Sequence, residues 1–375
     1  MSSGKQFVYA WITYFLALCG IAEFYFDMRS RGLIKSRLLR IYCRLLCAII
    51  FCSFFSVLLA HGKKFPAYTT KSKLMAFLVC ASPCNTLMAL LSCILCARVW
   101  QKRLLEMLKD LLKMDELIAT CSCCATPPDQ PRLLSLFLIR FLILVAHTIL
   151  LLLQPVIVGE ELIVYCSIIE SKLIRNGLYY LSFHIIWLIC YTFMNLQSCL
   201  SQLLSDRETI ARKEHKVLEV HRMYYRLMRM INEFSEIFKY PLAFYLLYTF
   251  CSACLCGYLF CRQLVGKPLQ IYSPATEWLL TCQNMNRIFE LLVLASIVNM
   301  ATELHDETFQ ILRSSNFDSA VLERGNDWLA LQITWQNKNI NLFGVLNINP
   351  RLVYLVVTNI ALNIIYIIQS DYNYL

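Results

Sequence analysis

The sequence predicts an all-α, polytopic membrane protein with seven transmembrane helices and a further membrane-associated helix near its N-terminus. Of its 375 residues, 58% are hydrophobic and only 16% are charged, and the mean hydropathy is +0.54. Such a chain has too little polar surface for a water-soluble globule. Its apolar residues also gather in runs of about 20, which is the length of a helix that crosses a bilayer core.

Seven apolar runs have the length and composition of transmembrane helices. Segments richer in charged residues separate them, which marks where each span ends. The predicted spans are 38–60, 74–97, 133–158, 177–200, 241–261, 278–301 and 351–369.

An eighth apolar stretch, residues 7–26, precedes the first span. Lys5 stands before it, as in a signal peptide, but no small-residue cleavage site follows, and its end contains the acidic residues Glu23 and Asp27. An eighth span is the other alternative. We expect an uncleaved helix that lies in the membrane or dips into it.

The distribution of the 35 Lys and Arg residues predicts the orientation of the chain. The N-terminal segment and the loops 98–132, 205–240 and 302–351 hold 24 of them, whereas the alternate loops hold eight. Positive residues mark the cytoplasmic side. We therefore expect a cytoplasmic N-terminus and an extracellular C-terminus. The net charge of +10 reflects this bias and gives no indication of nucleic-acid binding.

Helical patterns also occur between the spans, on the predicted cytoplasmic side. Apolar residues recur every three or four positions from Val217 to Phe238, which is typical of an amphipathic helix that leads into the fifth span. A shorter pattern covers 104–117, and 302–312 extends the sixth span. Because the polar faces of these helices carry acidic as well as basic residues, we expect them to pack against one another or between subunits rather than on the membrane surface.

The last span carries polar side chains at regular intervals. Asn359, Asn363, Tyr366 and Ser370 follow spacings of four, three and four, and Gln369 borders them. Such spacing places the four on one side of a helix, where a polar group has no water unless it faces protein or a water-filled path. The stripe predicts a path for ions or, as the alternative, hydrogen bonds to neighbouring helices.

A second stripe lies in the fourth span and is aromatic. Tyr180, His184, Trp187 and Tyr191 stand at i, i+4, i+7 and i+11, so they share one helix face. Amphipathic aromatic side chains often line small-molecule pockets. The alternatives are a packed helix interface or an interfacial aromatic belt.

The sixth span contains Arg287 about ten residues from its start. An unpaired charge at that depth costs about 2.5–3.5 kcal/mol, so we expect a partner inside the bundle. Glu290, three residues later on the same side, is the predicted partner. Arg287 is also a candidate contact for a ligand.

Several motifs occur in order along nearly the whole chain, and they are 20–27 with Gly32, 218–221 with 230–234, 308–312 and 341–349. Together they resemble motifs of the insect gustatory receptors. In the final span that family has Thr-Tyr, five apolar residues and Gln-Phe, where this chain has Leu362-Asn363, five apolar or aromatic residues and Gln369-Ser370. Only the glutamine and the apolar block match.

The resemblance implies a tastant-gated, nonselective cation channel in the plasma membrane, expected in the dendrites of gustatory receptor neurons. It implies a homotetramer or a heterotetramer with other gustatory receptors, in which the last helices surround one pore and Ile365 or Tyr366 closes it. The implied division is 1–37 for the N-terminal helix, 38–301 for a six-helix ligand-binding bundle, 302–350 for a cytoplasmic anchor, and 351–375 for the pore helix and tail. The divergent final motif favours a bitter-type or other non-sugar ligand.

Two other classes of membrane protein serve as alternatives. A G-protein-coupled receptor has seven spans, but the charge bias places the N-terminus on the opposite side. A transporter would be expected to show repeated halves, which the sequence lacks. An enzyme is not expected, since His305-Asp306-Glu307 lacks the spacing of a metalloprotease helix. No cofactor or metal site is predicted; the expected partners are a small tastant, lipid and further receptor subunits.

Overall fold

The computed structural model describes residues 3–62, 73–120, 131–158, 162–205, 210–265, 273–314 and 340–371, with several isolated positions between 323 and 335. Helices form nearly all of this part of the chain, which confirms the all-α prediction. They are α1 (Ser3–Leu18), α2 (Arg37–Gly62), α3 (Lys73–Val99), α4 (Gln101–Thr120), α5 (Pro131–Val158), α6 (Leu162–Ser205), α7 (Ile210–Leu264), α8 (Pro274–Ser314) and α9 (Pro350–Asp371). Two antiparallel hairpins join β1 (Phe24–Asp27) to β2 (Gly32–Lys35) and β3 (Asn341–Leu342) to β4 (Leu346–Asn347).

Helices occupy all seven predicted spans. Among the described residues, five helices are long and apolar enough to cross a membrane. A sixth candidate joins Cys84–Val99 to Gln101–Ile118 through a bend of 65°. The predicted span 38–60 coincides with α2. The five long candidates are Pro131–Ile157, Lys172–Leu203, His215–Leu264, Pro274–Ile311 and Pro350–Ser370.

Three helices are much longer than the spans predicted within them. Helices α6, α7 and α8 contain 44, 55 and 41 residues. At ~1.5 Å per residue, even the shortest exceeds the roughly 30 Å of a bilayer core. The predicted amphipathic helix 217–238 forms part of α7, the pattern 104–117 lies within α4, and 302–312 lies at the end of α8, so all three predictions are confirmed.

Helix α7 continues through Pro241 without ending. Proline has no backbone N–H, so the carbonyl of Ile237, one turn earlier, loses its intrahelical partner. The thiol of Cys96 from α3 donates to that carbonyl at 3.3 Å, and the hydroxyl of Tyr179 from α6 donates to the Pro241 carbonyl at 3.4 Å. Two neighbouring helices therefore satisfy the carbonyls around the proline.

The N-terminal helix does not continue as a span. The apolar part of α1, Val8–Leu18, is too short to cross a bilayer core, which agrees with the predicted dipping helix. The chain turns at Gly20, whose φ of +71° favours glycine, and returns as the β1–β2 hairpin. The hairpin folds back on α1, since the N–H of Phe26 donates to Thr13 Oγ1 at 3.0 Å.

A partly buried carboxylate fastens this N-terminal unit to the first two spans. Glu23 accepts from Arg98 Nη1 of α3 at 2.9 Å and from Arg40 Nε of α2 at 3.1 Å. Arg98 also donates to the carbonyl of Cys43 in α2. The start of α2 and the end of α3 therefore lie on the same side of the bundle, as expected for consecutive antiparallel spans.

The core of the bundle surrounds α6. In its apolar window 83% of the residues are buried, against 17% in the window of α9. Helix α6 contacts α2, α3, α7 and α8, whereas α9 packs on α7 and α8. The final helix therefore lies at the edge of the subunit.

A short turn leads into α9. The β3–β4 hairpin places Phe343 and Gly344 at φ +56° and +72°, and the Phe343 ring contacts Tyr240 of α7 with centroids 5.2 Å apart. Helix α9 then begins at Pro350, and Asn349 caps it by accepting the N–H of Leu352 at 2.9 Å. Within the predicted anchor segment 302–350, most of residues 315–339 lie outside the described residues.

Candidate functional site

A polar cavity lies between four helices of the bundle. Spacings of three and four residues bring its side chains to the inward faces of α6 and α7, and α5 and α8 complete the wall. We call it the polar cavity. Its lining residues are His147, Lys172, Arg175, Asn176, Tyr179, Tyr245, Tyr248 and Arg287.

Two arginines from different helices share one aromatic ring in this cavity. The guanidinium carbons of Arg175 and Arg287 lie 4.6 and 4.7 Å from the ring centroid of Tyr248. A cation over an aromatic face is attracted by the ring quadrupole, which offsets part of the cost of burial. Arg287 Nη1 also donates to Asn284 Oδ1 at 3.0 Å and to Ser252 Oγ at 3.2 Å.

Lys172 is held by amides at the same level. Its Nζ donates to Gln154 Oε1 at 2.7 Å and to Gln283 Oε1 at 3.2 Å. The Gln283 amide in turn reaches Gln154 Oε1 at 3.4 Å. Three helices, α5, α6 and α8, are thus joined through one buried ammonium group.

The predicted pair between Arg287 and Glu290 is wrong. Glu290 forms a buried salt bridge with Arg140 of α5 and accepts a hydrogen bond from the hydroxyl of Tyr245 at 2.6 Å. Residues three apart on a helix can contact different neighbouring helices, and here the guanidinium of Arg287 lies over the ring of Tyr248 in α7. Among the described residues, the partners of Arg287 are neutral, so the expected ionic partner is not found for Arg287. Glu290 has such a partner, and it comes from another helix.

The aromatic stripe of α6 lies outside the polar cavity, in packed interfaces. Tyr180 contacts Phe15 of α1 with ring centroids 5.4 Å apart, and both Tyr180 and His184 are buried. Phe137 of α5 contacts His184 and Trp187 at 5.5 and 5.2 Å. Trp187 and Tyr191 stack at 5.8 Å, and the Trp187 indole donates to the Leu133 carbonyl at 3.1 Å. Ligand binding by the four stays a prediction.

Helix α9 presents its polar side chains away from its own bundle. Val353, Ile360 and Ile367 are buried at intervals of seven residues, which defines the contact face. Asn359 and Asn363 are exposed, and their amide groups donate at 2.8 Å to the carbonyls of residues 355 and 359 in the same helix. Their oxygens therefore remain directed outward rather than bonded to a neighbouring helix of the described chain.

The six predicted pore residues fall into two groups around α9. At 100° per residue, Asn359, Asn363, Tyr366 and Ser370 lie roughly a quarter turn from the buried face. Ile365 and Gln369 lie nearly opposite that face. All six are exposed. The one-stripe prediction thus holds for the first group, while Gln369 is directed furthest from the bundle.

Tyr245 connects the polar cavity to the base of α9. Besides lining the polar cavity, its side chain lines a second, apolar cleft where α7 and α8 meet the start of α9. Its ring also packs on Tyr179, with centroids 3.8 Å apart. The second cleft is lined by Leu242, Tyr245, Leu246, Leu291, Leu294, Ile348, Leu352 and Val353.

Sequence reasoning missed several side chains of the polar cavity. Lys172 and Arg175 count as loop charges when spans are drawn by hydropathy alone, because the predicted fourth span begins at residue 177. The available signal was their spacing. Lys172 lies three residues before Arg175, and Arg175 lies four before Tyr179, so one face of the predicted fourth span continues into the segment before it. Tyr248 and His147 carried no distinguishing signal.

The long apolar helices define a multi-pass helical membrane protein. The sequence matches the family model described as 7tm Chemosensory receptor over residues 11–374, and the chain belongs to that family. This is a family of receptors and not of enzymes. The identification of the chain as resembling the insect gustatory receptors is thereby confirmed.

One curated protein is similar to the chain in sequence, and two solved structures are similar to it in fold. A Drosophila melanogaster protein that carries the name gustatory receptor 85a is 27% identical over 379 residues, covering 99% of this chain and 94% of that protein. The solved olfactory receptor OR5 of Machilis hrabei superposes with a TM-score of 0.64 at 11% identity, covering 96% of both chains. A second structure of that receptor, in complex with eugenol, has a TM-score of 0.64 at 13% identity and the same coverage.

Proposed function

We propose that this protein is a gustatory chemoreceptor that acts as a ligand-gated, nonselective cation channel, opened by a non-sugar tastant of the bitter type. One observation carries the proposal: the final span is the least buried of the candidate spans and directs polar side chains away from its own bundle. A polar face turned to lipid would lack hydrogen-bond partners. Four copies arranged around one axis give that face water to contact.

The pore composition accounts for weak ion selectivity. The exposed positions Asn359, Asn363, Tyr366 and Gln369 supply amide and hydroxyl groups, and no carboxylate ring is among them. A path lined in this way stabilises cations through dipoles rather than fixed charges. Four Ile365 or four Tyr366 side chains, one from each subunit, close the path by excluding water. The assembly is a homotetramer or includes other gustatory receptor chains.

The ligand site of this channel is the polar cavity, with Arg287 in contact with the ligand. The other proposed ligand-binding residues lie further along α6 and are Tyr180, His184, Trp187 and Tyr191. Support comes from the packing of this stripe on α1 and α5, and from a relative of the same fold that was solved with the small molecule eugenol.

Tyr245 couples the ligand site to the pore in this proposal. Its hydroxyl donates a hydrogen bond to Glu290, and its side chain lines the cleft at the start of α9. The chain works in the plasma membrane of gustatory neuron dendrites, with its N-terminus inside. In this proposal residues 38–301 form the ligand-binding bundle and residues 302–350 anchor the subunits to one another. Residues 351–375 form the pore helix and its tail.

Recording from excised patches of cells that express only this chain tests the proposal. Tastants applied without nucleotides or soluble cell components should evoke unitary cation currents, because the channel needs no second messenger. A matched patch carrying Gln369→Arg should lose cation permeation while the protein stays at the surface. Responses that vanish on excision and return with a G protein would show a coupled receptor instead, and uptake without unitary currents would show a transporter.

A further inference from the structure

A groove runs between α3 and α7 on the surface of the bundle. Its volume is about 190 Å³, and it shares no lining residue with the polar cavity. Apolar cavities of roughly 150 Å³ bind a molecule of the size of benzene, so the groove has room for part of an acyl chain. We call it the α3–α7 groove; the residues that define it are Ser92, Leu95, Cys96, Trp100, Tyr240 and Pro241.

Small side chains create the groove and apolar ones dominate its wall. Ser92, Cys96 and Pro241 are buried, whereas Leu95 is 59% exposed, so the groove opens on the outer surface of the subunit. None of the described lining side chains is charged. The hydroxyl of Ser92 donates to the carbonyl of Ala89 at 2.8 Å, and the thiol of Cys96 is also bonded to a backbone carbonyl. A wall whose donors are already used in this way favours hydrocarbon over a polar ligand.

Two aromatic rings of the groove each have a basic side chain beside them. The guanidinium carbon of Arg103 lies 4.6 Å from the ring centroid of Trp100, and Lys239 Nζ lies 5.5 Å from that of Tyr240. Trp and Tyr concentrate at the level of lipid headgroups, and the long basic side chains reach the same level. Lys239 is paired with Glu236 at 2.7 Å, whereas Arg103 is exposed and forms no ion pair among the described residues. Arg103 therefore supplies the charge for an anionic headgroup.

We propose that the α3–α7 groove binds one anionic phospholipid, with an acyl chain between the two helices and the phosphate beside Arg103. The lipid belongs to the leaflet next to Trp100, which is the cytoplasmic one in the proposed orientation. Its hydrocarbon matches the uncharged wall, and its negative charge matches Arg103. A chain in the groove contacts Pro241, where α7 can bend, and Tyr240, whose ring meets Phe343 of the hairpin before α9.

Photolabelling of the purified full-length protein tests the inference without requiring channel opening. Phosphatidylcholine nanodiscs receive a small fraction of phosphatidylglycerol that carries a diazirine in its acyl chain, and mass spectrometry locates the adducts. Labelling within 88–96 and 237–244 should exceed labelling of Leu138 and Leu142, two exposed apolar residues of α5, at least fivefold. Equal labelling of the groove and of α5 would show bulk lipid alone and overturn the proposal.

Filling the groove assigns the labelling to it. Ser92→Phe should reduce the labelling of residues 237–244 at least fivefold. The matched control is Ser135→Phe, because Ser135 is exposed on α5 and makes the same hydrogen bond to the carbonyl three residues earlier, also at 2.8 Å. If Ser92→Phe does not fold, Leu95→Trp at the exposed rim provides the same comparison. A folded variant of either kind with full labelling would contradict the assignment.

The headgroup is tested by charge. A phosphatidylcholine probe with the same chain should label the groove about fivefold less than the phosphatidylglycerol probe, since one basic residue near the membrane surface contributes about this factor. Arg103→Gln should lower phosphatidylglycerol labelling to the same level. Lys109→Gln, which removes an equal charge at another exposed position of α4, should label like the wild type. Equal labelling by the two probes, or no effect of Arg103→Gln, would show that the site is not selective for an anion and overturn the proposal.

The number of subunits per particle separates a lipid from a second copy of the chain. Native mass spectrometry should give the same number for the wild type and for Ser92→Phe. A changed number, together with a groove that the lipid probe does not label in the wild type, would identify a subunit interface and overturn the proposal.

Discussion

Helices α6 and α9 are both apolar enough to span a membrane, yet they have opposite environments. Helix α9 is the more apolar of the two, but 17% of its window is buried, against 83% for α6. Polar groups of α6 are bonded across the bundle, as when Gln197 donates to the carbonyl of Leu304 at 2.7 Å. The asparagines of α9 bond only within their own helix among the described residues. Hydropathy therefore locates a span, whereas the hydrogen bonds of its polar groups distinguish a helix that is bonded across the bundle from one that is bonded only within itself.

The largest effect should come from the buried pair beside α6. Arg140→Leu leaves Glu290 buried without its ionic partner, which costs about 3–5 kcal/mol. We expect loss of the monodisperse protein in fluorescence-detected size-exclusion chromatography after detergent extraction. The double variant Arg140→Leu with Glu290→Leu should recover most of it. Arg132→Gln, which breaks the exposed pair with Glu303, should cost about 1 kcal/mol or less. Similar losses for Arg140→Leu and Arg132→Gln would contradict the assigned role of burial.

Cysteine substitution in α9 sharpens the contrast within one helix. Asn363→Cys and Gln369→Cys should react with a charged, water-soluble thiosulfonate at least tenfold faster than Ile360→Cys and Ile367→Cys. The reason is that the first pair is exposed and the second faces α7. The change in whole-cell conductance reports the reaction, and the unsubstituted protein corrects for its native cysteines. Faster reaction at 360 and 367 would show that the helix is rotated in the assembly.

A smaller effect than the loss of the buried pair should come from the residue that links the two regions. Tyr245→Phe keeps the ring but removes the hydrogen bond to Glu290, which is worth about 1.5–3 kcal/mol when the acceptor is charged. We expect a tenfold or greater shift in the ligand concentration for half-maximal current, with ligand affinity in a binding assay changed less than threefold. Tyr240→Phe, at an exposed position of the same helix, is the control. A shift in both assays alike would place Tyr245 in ligand binding rather than in coupling.

Much of the fold follows from local patterns. The apolar runs, the amphipathic stretch from Val217 and the short N-terminal helix were all predicted, because each depends on residues close together in the chain. The partner of Glu290 was not, since Arg140 lies 150 positions away and nothing local indicates that α5 packs beside α8. The lining of the polar cavity was not predicted for a similar reason. Lys172 and Arg175 lie on one helix, and the cavity forms only where Tyr248 and Arg287 of two other helices pack beside them.

Pro241 is a position at which the long helix α7 can bend. The Ile210 end lies 31 residues away, or about 46 Å along the axis, and the Leu264 end lies about 35 Å the other way. A bend of about 5° at Pro241 would therefore swing the Ile210 end by about 4 Å and the Leu264 end by about 3 Å. Small movements around Tyr245, one turn from the proline, would thus displace both ends of α7 by about the size of a side chain.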